Sequence, residues 1–410
     1  MLKITRTLGA SRSLVFFYRS KMKKGIHVKS MIKKGIIMKY SRKRVLQVIT
    51  LSDWAGGQKV LYALVYGLKQ NYFEEFDIEV ACGPKNGRLI PELEKIGVKI
   101  HIVKDLVRDI SPLRDAKAFF QLKHIIAKGK FDIVHLHSSK AGFLGRIAAK
   151  MAKVPFVLYT VHGWWGIEQF TGFKRDVFIL AERFAANFCD KIVFLCSNDL
   201  RKAERWKIGQ RDQYCIIPNS ILPSTVHEKG ALRKELGISQ DKKIVGNVAR
   251  LDAQKNPIRF LEVAKKVLSV SNNVVFVWIG SSVVDEKLNK AVEEWLENNK
   301  DVKENVYFLG FRKDSEKLVA DFDVFLLTSD AEGMPLAVLE AINQGVKVVS
   351  TNVGCMEEIV GKDNVGSTVD ELARLVLANL EKSGGSNIGN FVNSDYEMFL
   401  AEYVKLYRTL

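Results

Sequence analysis

The residues with the clearest chemical promise lie in Ser329 to Gly345, S-D-A-E-G-M-P-L-A-V-L-E-A-I-N-Q-G. Here Glu332 and Glu340 stand with seven residues between them, on either side of a Gly-x-Pro corner. An apolar run, Val324-Phe325-Leu326-Leu327, precedes the corner and a helix-like segment follows it. Pro335 suits the first position of a helix, so Met334 to Leu336 are read as its start, and Gly333 lets a ligand approach the backbone closely. Free N–H groups at a helix start favour an anion, phosphate above all. A carboxylate is a poor phosphate partner but a good acceptor from hydroxyl groups. Glu332 in the loop and Glu340 in the helix therefore fit one elongated ligand: a diphosphate flanked by a ribose and a sugar.

Such a corner needs a scaffold, and the chain supplies one by alternation. Val45 to Thr50 is a β-rich run, Ala55-Gly56-Gly57 reads as a turn, and Val60 to Leu68 has helical spacing. Further β-rich runs are Ile78 to Val80, Ile133 to Leu136, Phe156 to Thr160 and Ile192 to Leu195, with amphipathic stretches such as Ala118 to Lys128 and Ala141 to Ala152 between them. A second series runs through Ile244 to Ala249, Val274 to Ile279, Val306 to Leu309, the Val324 run and Val346 to Ser350. Strands alternating with helices imply parallel sheets covered on both faces. The fold class is therefore α/β with two doubly wound, Rossmann-like domains, joined in the irregular stretch Ile217 to Lys229. Ligands of such sheets bind beyond the carboxyl ends of the strands, where the Glu332 corner falls.

Composition agrees with a folded protein: 410 residues, 47% of them hydrophobic, suffice for two or three cores. No run reaches the ~18 apolar residues of a spanning helix, and Leu14 to Phe17 is too short for a signal-peptide core. A cytoplasmic protein is expected. The five cysteines, Cys82, Cys189, Cys196, Cys215 and Cys355, are scattered without C-x-x-C pairs and read as reduced, mostly buried thiols. Of the seventeen net positive charges, fourteen fall in residues 1–44, which hold no Asp or Glu. The body is thus not a basic nucleic-acid-binding surface. For the basic stretch three readings stand: attraction to anionic lipid, at roughly 1 kcal/mol per basic residue, a transit peptide, or sequence upstream of a natural start at Met31 or Met38.

From about Val45 to the C-terminus the chain resembles a retaining glycosyltransferase of family 4, with the two-Rossmann glycosyltransferase-B fold, and in particular bacterial polysaccharide-biosynthesis enzymes. The resemblance rests on E-G-M-P-L-A-V-L-E, on G-N-V-A-R-L-D-A-Q-K-N-P, on Gly56-Gly57, on T-V-H-G-W and on I-I-P-N-S-I, all in the family's order. Beyond the basic 1–44 extension that the charge marks off, it implies an acceptor domain at 45–220, a nucleotide-sugar donor domain at 221–391, and a closing helix at 392–410 that returns to the first domain. It also implies that Glu332 contacts the transferred sugar, Glu340 holds the ribose, and Arg250 and Lys255 grip the diphosphate. Gly56 and Gly57 close on the same phosphates, Gly333, Met334, Pro335 and Leu336 line the donor, and His162 is the active-site histidine. The chemistry asks for these types, because negative charge builds on the departing diphosphate and fixed cations stabilise it. No metal and no cofactor are expected; the nucleotide-sugar, best read as UDP-linked, is a substrate. The implied acceptor is a saccharide or lipid-linked saccharide of capsule, exopolysaccharide or lipopolysaccharide, reached from the inner face of the cell membrane. H-S-S-K-A-G, His137 to Gly142, resembles stretches of such enzymes.

Three departures from the family stand out. Gln58-Lys59 follows the glycine pair where an acidic residue is usual; Cys355 in Val353-Gly354-Cys355 replaces a glycine that often lies against the donor sugar; and Asn364 to Thr368 is a shortened strand. His135 and His137 form an H-x-H pair without a third metal ligand in sight, and Asp321-Phe322-Asp323, a D-x-D, is read as a helix end feeding the Val324 strand. A glycosidase would use paired carboxylates but not the basic pair or the phosphate-binding helix start. A non-hydrolysing sugar-nucleotide epimerase on the same fold and a catalytically silent sugar-nucleotide-binding scaffold are the alternatives.

Overall fold

A computed structural model describes residues 42–84, 87–281, 286–385 and 395–409. The basic stretch up to residue 41, with the lipid, transit-peptide and start-site readings made of it, lies outside the described residues. Lys43 and Arg44, counted above with that stretch, are the first residues of a strand.

The first sheet is built from β1 (Lys43–Ile49), β2 (Phe76–Cys82), β3 (Lys99–Ile102), β4 (Ile133–His137), β5 (Phe156–Thr160), β6 (Lys191–Phe194) and β7 (Tyr214–Ile216). Its strands are parallel and lie in the order β3-β2-β1-β4-β5-β6-β7, with Leu46 opposite Glu79 on one side of β1 and Val134 on the other. The second sheet holds β8 (Lys243–Val248), β9 (Val274–Ile279), β10 (Val306–Phe308), β11 (Val324–Leu327), β12 (Lys347–Thr351) and β13 (Val365–Gly366), parallel in the order β10-β9-β8-β11-β12-β13. Both are doubly wound Rossmann-like sheets. Their order reverses beside β1 and beside β8, and each reversal opens a crevice at the carboxyl ends of the strands. β9, V-V-F-V-W-I, is buried along its whole length, as a strand covered by helices on both faces must be.

The D-x-D acids hold this scaffold together. Asp321 accepts from the backbone N–H groups of Gly230 and of Leu232, the latter at 2.6 Å, and so caps the helix Ala231–Leu236. Asp323 accepts from Ile244 N at 2.9 Å at the start of β8. Phe322 between them is buried against Gly246.

The last helix, Tyr396–Arg408, lies against the first sheet's elements. Tyr396 Oη donates to Ala63 O at 2.8 Å, and Gly67 leaves room for Tyr396 and Leu400 where a Cβ would collide with both. Arg408 pairs with Glu75 at 2.6 Å. An apolar core runs from the helix Gly56–Asn71 through Met334, Leu336 and Cys355 into the second sheet, so the floor between the domains is hydrophobic.

Candidate active site

Just beyond β8, Arg250 is exposed and pairs with Asp252 at 2.8 Å. Asp252 also accepts from Lys255 N at 3.2 Å and folds Ala253–Lys255 into one tight 3-10 turn. The turn delivers Lys255 Nζ to 2.5 Å from Glu332 Oε1, and Ser329 Oγ donates to the same oxygen at 2.6 Å. Thr328 Oγ1 at the end of β11 donates to Lys255 O at 3.1 Å, so strand and turn hold each other. Glu332 is buried, and its orientation is set from two sides.

The corner after Glu332 presses against the first domain. A Cβ on Gly333 would stand 2.6 Å from His162 O, and one on Gly163, whose φ is +110°, 2.9 Å from Gly333 N. Only glycines allow backbone to meet backbone here. Asn219 of I-P-N-S donates its backbone N–H to Met334 Sδ at 3.1 Å and its side-chain N–H to Met334 O at 3.3 Å, and thereby anchors the corner from the domain junction. Pro335 has ψ 119° and caps the helix rather than starting it, so the helix is Leu336–Asn343 and not Met334 onward. Extended ψ places the proline outside the helical turn that its fixed φ would have suited.

Glu340 projects from that helix and accepts from Lys59 Nζ at 2.6 Å across the cleft. Burial raises the Glu340 carboxyl above its ordinary range, and the lysine opposes the shift. The helix Gly56–Asn71 begins at the glycine pair without a side-chain cap. A Cβ on Gly56 would come within 4.0 Å of Leu336 and one on Gly57 within 3.9 Å of the His162 ring. The first domain therefore brings Gly56, Gly57, Lys59 and His162 to the cleft, and the second brings Lys255, Glu332, Gly333, Leu336 and Glu340. Arg250, exposed just beyond β8, is held by Asp252.

Residues 55–220 match the glycosyl transferase 4-like domain, and residues 228–380 match glycosyl transferases group 1. Over 292 residues, 68% of this chain and 72% of the relative, the sequence is 34% identical to an Escherichia coli UDP-Gal:α-D-GlcNAc-diphosphoundecaprenol α-1,3-galactosyltransferase. The chain belongs to this glycosyltransferase family. The transferase is also 27% identical, over 65% of its length and 72% of the relative's, to the N,N'-diacetylbacillosaminyl-diphospho-undecaprenol α-1,3-N-acetylgalactosaminyltransferase of Campylobacter jejuni. In fold it is similar to Anabaena Alr3699/HepE, solved in complex with UDP and glucose: TM-score 0.74 over 90% of this chain and 100% of that one, at 17% identity. Its two sheets are those of the glycosyltransferase-B fold.

Behind His162 the transferase carries a buried polar chain that motif reading missed. His162 Nε2 lies 3.0 Å from His137 Nδ1, His137 Nε2 2.9 Å from Gln47 Oε1, and Gln47 Nε2 2.7 Å from Tyr407 Oη. Tyr407 Oη is 2.7 Å from His135 Nδ1, and His135 Nε2 is 2.7 Å from Thr160 Oγ1. An amide oxygen only accepts, so His137 donates from Nε2 and accepts at Nδ1. His162 then donates from Nε2 and keeps its Nδ1 lone pair. Burial holds the His162 imidazole down to about 4, so it is neutral at neutral pH. The H-x-H pair is thus engaged on both nitrogens of both rings, with partners on β1, β5, the loop after β5 and the last helix.

Tyr407→Phe tests this wiring. It strands Gln47 Nε2 and His135 Nδ1 in the interior, and an unsatisfied buried group costs ~1–3 kcal/mol. Urea unfolding of the variant is expected to show that loss, with turnover reduced at unchanged donor KM; full stability would show that the hydroxyl carries no such role.

Two departures from the family pattern find their place. Lys59 meets Glu340, as described. Cys355 is fully buried, its N–H donating to Gly333 O at 3.0 Å, and its thiol lies beside Cys196 and Asp199 of the first domain.

Proposed function

We propose that the transferase moves a sugar from a UDP-sugar to a lipid-linked saccharide in cell-surface polysaccharide biosynthesis, with retention of anomeric configuration and without a metal at the reacting centre. The observation that carries this reading is the meeting, across one cleft, of Lys255–Glu332 and Lys59–Glu340 against the His162–Gly163 and Gly333 backbones. Lys255 and Arg250 are the cations for the leaving diphosphate. Glu340 takes the ribose hydroxyls, and Lys59 donates to an oxygen that a ribose hydroxyl would use. Glu332, oriented by Lys255 and Ser329, accepts from the sugar. With Glu332 so committed, front-face attack, in which the leaving phosphate helps to take the acceptor proton, fits better than a carboxylate nucleophile. The two diphosphoundecaprenol-acting relatives support the acceptor class, and UDP in the fold neighbour supports the donor. The test is a panel of UDP-sugars with a polyprenyl-diphosphate saccharide and no added Mg²⁺ or Mn²⁺, read as UDP release and as the anomeric coupling of the product by proton NMR. Epimer formation without acceptor, or an inverted product, would refute it.

A lipid-linked acceptor requires access to a membrane surface, and one face of the first domain supports such a contact. On the helix Gly172–Ala186, Phe173, Val177, Leu180 and Phe184 recur on one face and are exposed, Phe173 at 84%. Lys174 and Arg175 flank them, also exposed. The helix Ser139–Met151 packs against this helix and against Pro112–Gly129, which adds exposed Leu113 and Phe120. An apolar stripe with basic neighbours fits the interface of an anionic bilayer, the apolar side sinking between headgroups and the cations meeting phosphate. Changing Phe173, Leu180 and Phe184 together to serine is expected to reduce sedimentation with anionic vesicles while sparing turnover of a soluble acceptor analogue. Undiminished sedimentation would leave the basic N-terminal stretch as the anchor.

A further inference from the structure

Among the described residues, one group of potential metal ligands is formed by parts of the chain that no motif connects. Cys196, two residues beyond β6, is the N-cap position of the helix Ser197–Arg205, Asp199 lies in that helix's first turn, and Cys355 precedes the helix Met356–Val360 of the other domain. Their ligand atoms lie within 4.8 Å of one another, and all three residues are fully buried.

Asp199 makes the group unusual. Neither of its carboxylate oxygens has a hydrogen-bond partner, and the nearest cation, Lys202, is 3.9 Å away and engaged with Glu168 at 2.5 Å. A buried carboxylate without hydrogen bonds is costly, and such groups in native folds call for an explanation such as an ion. Two sulfurs beside it narrow the choice. Thiolates select soft or borderline cations over magnesium or calcium. Zinc holds sulfur at ~2.3 Å and carboxylate oxygen at ~2.0–2.2 Å, so tetrahedral ligands stand about 3.6–3.8 Å apart, within the span found here. A disulfide between the cysteines would need an oxidant and would leave Asp199 unexplained.

We propose that Cys196, Asp199 and Cys355 bind a thiophilic divalent cation of the zinc class and so staple the two domains behind the active site. Binding releases the two thiol protons, and the Asp199 proton where it is bound, to solvent and forms two metal–thiolate bonds and one metal–carboxylate bond; a water completes the fourth position. No electron is transferred. Lys202 offsets part of the negative charge of the ligand set. A cavity of about 450 Å³ between the domains is lined by Asn198, Arg201, Asn352, Gly354 and Glu358, the sequence neighbours of the three ligands. Around it Ser197 Oγ donates to Glu358 at 2.5 Å and Asn198 Nδ2 to Gly354 O at 2.9 Å, which already tie the two domains at this point. The staple is separate from the donor chemistry: it shares no side chain with Lys255, Glu332 or Glu340.

The experiment is a Co²⁺ titration of the reduced full chain, followed by displacement with Zn²⁺. The expected result is saturation at one equivalent, with a sulfur-to-cobalt charge-transfer band in the near ultraviolet that Zn²⁺ bleaches. Cys196→Ser and Cys355→Ser should each weaken that band and Asp199→Asn should weaken binding, whereas Cys82→Ser should change nothing. Zn²⁺ should also raise the melting temperature of the wild type and not of the two serine variants. Absence of the band in the wild type, or its full survival in Cys196→Ser, would overturn the proposal. So would a loss of two mass units on mild oxidation in a protein that binds no Co²⁺, which would mark a redox pair instead.

Discussion

Lys255→Ala is expected to cut turnover by about two to three orders of magnitude in a protein that still folds. The turn that presents Lys255 is closed by its backbone N–H on Asp252 and by Thr328 on its carbonyl, so the turn does not depend on Nζ, and Glu332 keeps Ser329 as a partner when the ammonium is removed. What the ammonium does is stand 2.5 Å from Glu332 at the mouth of the second sheet. If it serves the leaving diphosphate, its loss removes one fixed charge-stabilising donor, worth ~3–4 kcal/mol in comparable sites, and each ~1.4 kcal/mol is tenfold in rate. Lys255→Arg should recover only part of this, because a planar fork does not place charge where a point ammonium does. Turnover, calorimetric binding of UDP and the melting temperature, measured on the same preparations, separate the outcomes. A folded variant with wild-type kinetics and UDP affinity would remove Lys255 from the donor site.

How far the sequence could be read depended on whether partners lay near one another in the chain. β9 and β11 were visible because strands buried on both faces are continuous apolar runs. β3 and β7 are edge strands of four and three residues with partly exposed side chains, and such segments carry too little periodicity to be seen, whereas the two-residue β13 was legible only as the shortened strand at Asn364 to Thr368. The Gly-x-Pro corner was legible because its geometry is local, although the extended ψ of Pro335 shifted the helix start by two residues. Lys59 was noticed only as an oddity after the glycines. Its meaning required Glu340, which lies 281 positions away. The H-x-H pair invited a metal, yet its four partners arrive on other elements, and the cysteines judged unpaired in sequence come together only when the domains meet. Chemistry assembled across the cleft is a property of topology, and spacing along the chain does not encode it.

Mild acid is expected to destabilise this protein through its buried histidines. Burial holds His135 and His137 well below the ordinary imidazole value and His162 down to about 4. Each therefore binds a proton more readily in the unfolded chain than in the fold. Their contribution is complete above pH ~6.5 and is lost as the pH falls below it, at about 1.4 kcal/mol per pH unit for each histidine until the folded value is reached. Structure gives the same sign: a protonated His137 could no longer accept from His162 while donating to Gln47. Asp199 works in the opposite direction. In the metal-free protein, pushed up to about 7 by burial, it takes up a proton in the fold before the unfolded chain does and offsets part of the histidines' loss. The net expectation for the metal-free protein is a loss of stability between pH 7.5 and pH 5 in which the three histidines outweigh Asp199. Urea unfolding at the two pH values measures it directly. His137→Gln should begin less stable but lose less over the same interval, because one titrating site has gone; equal losses in variant and wild type, or a flat wild-type profile, would show that the buried histidines do not set the acid limit.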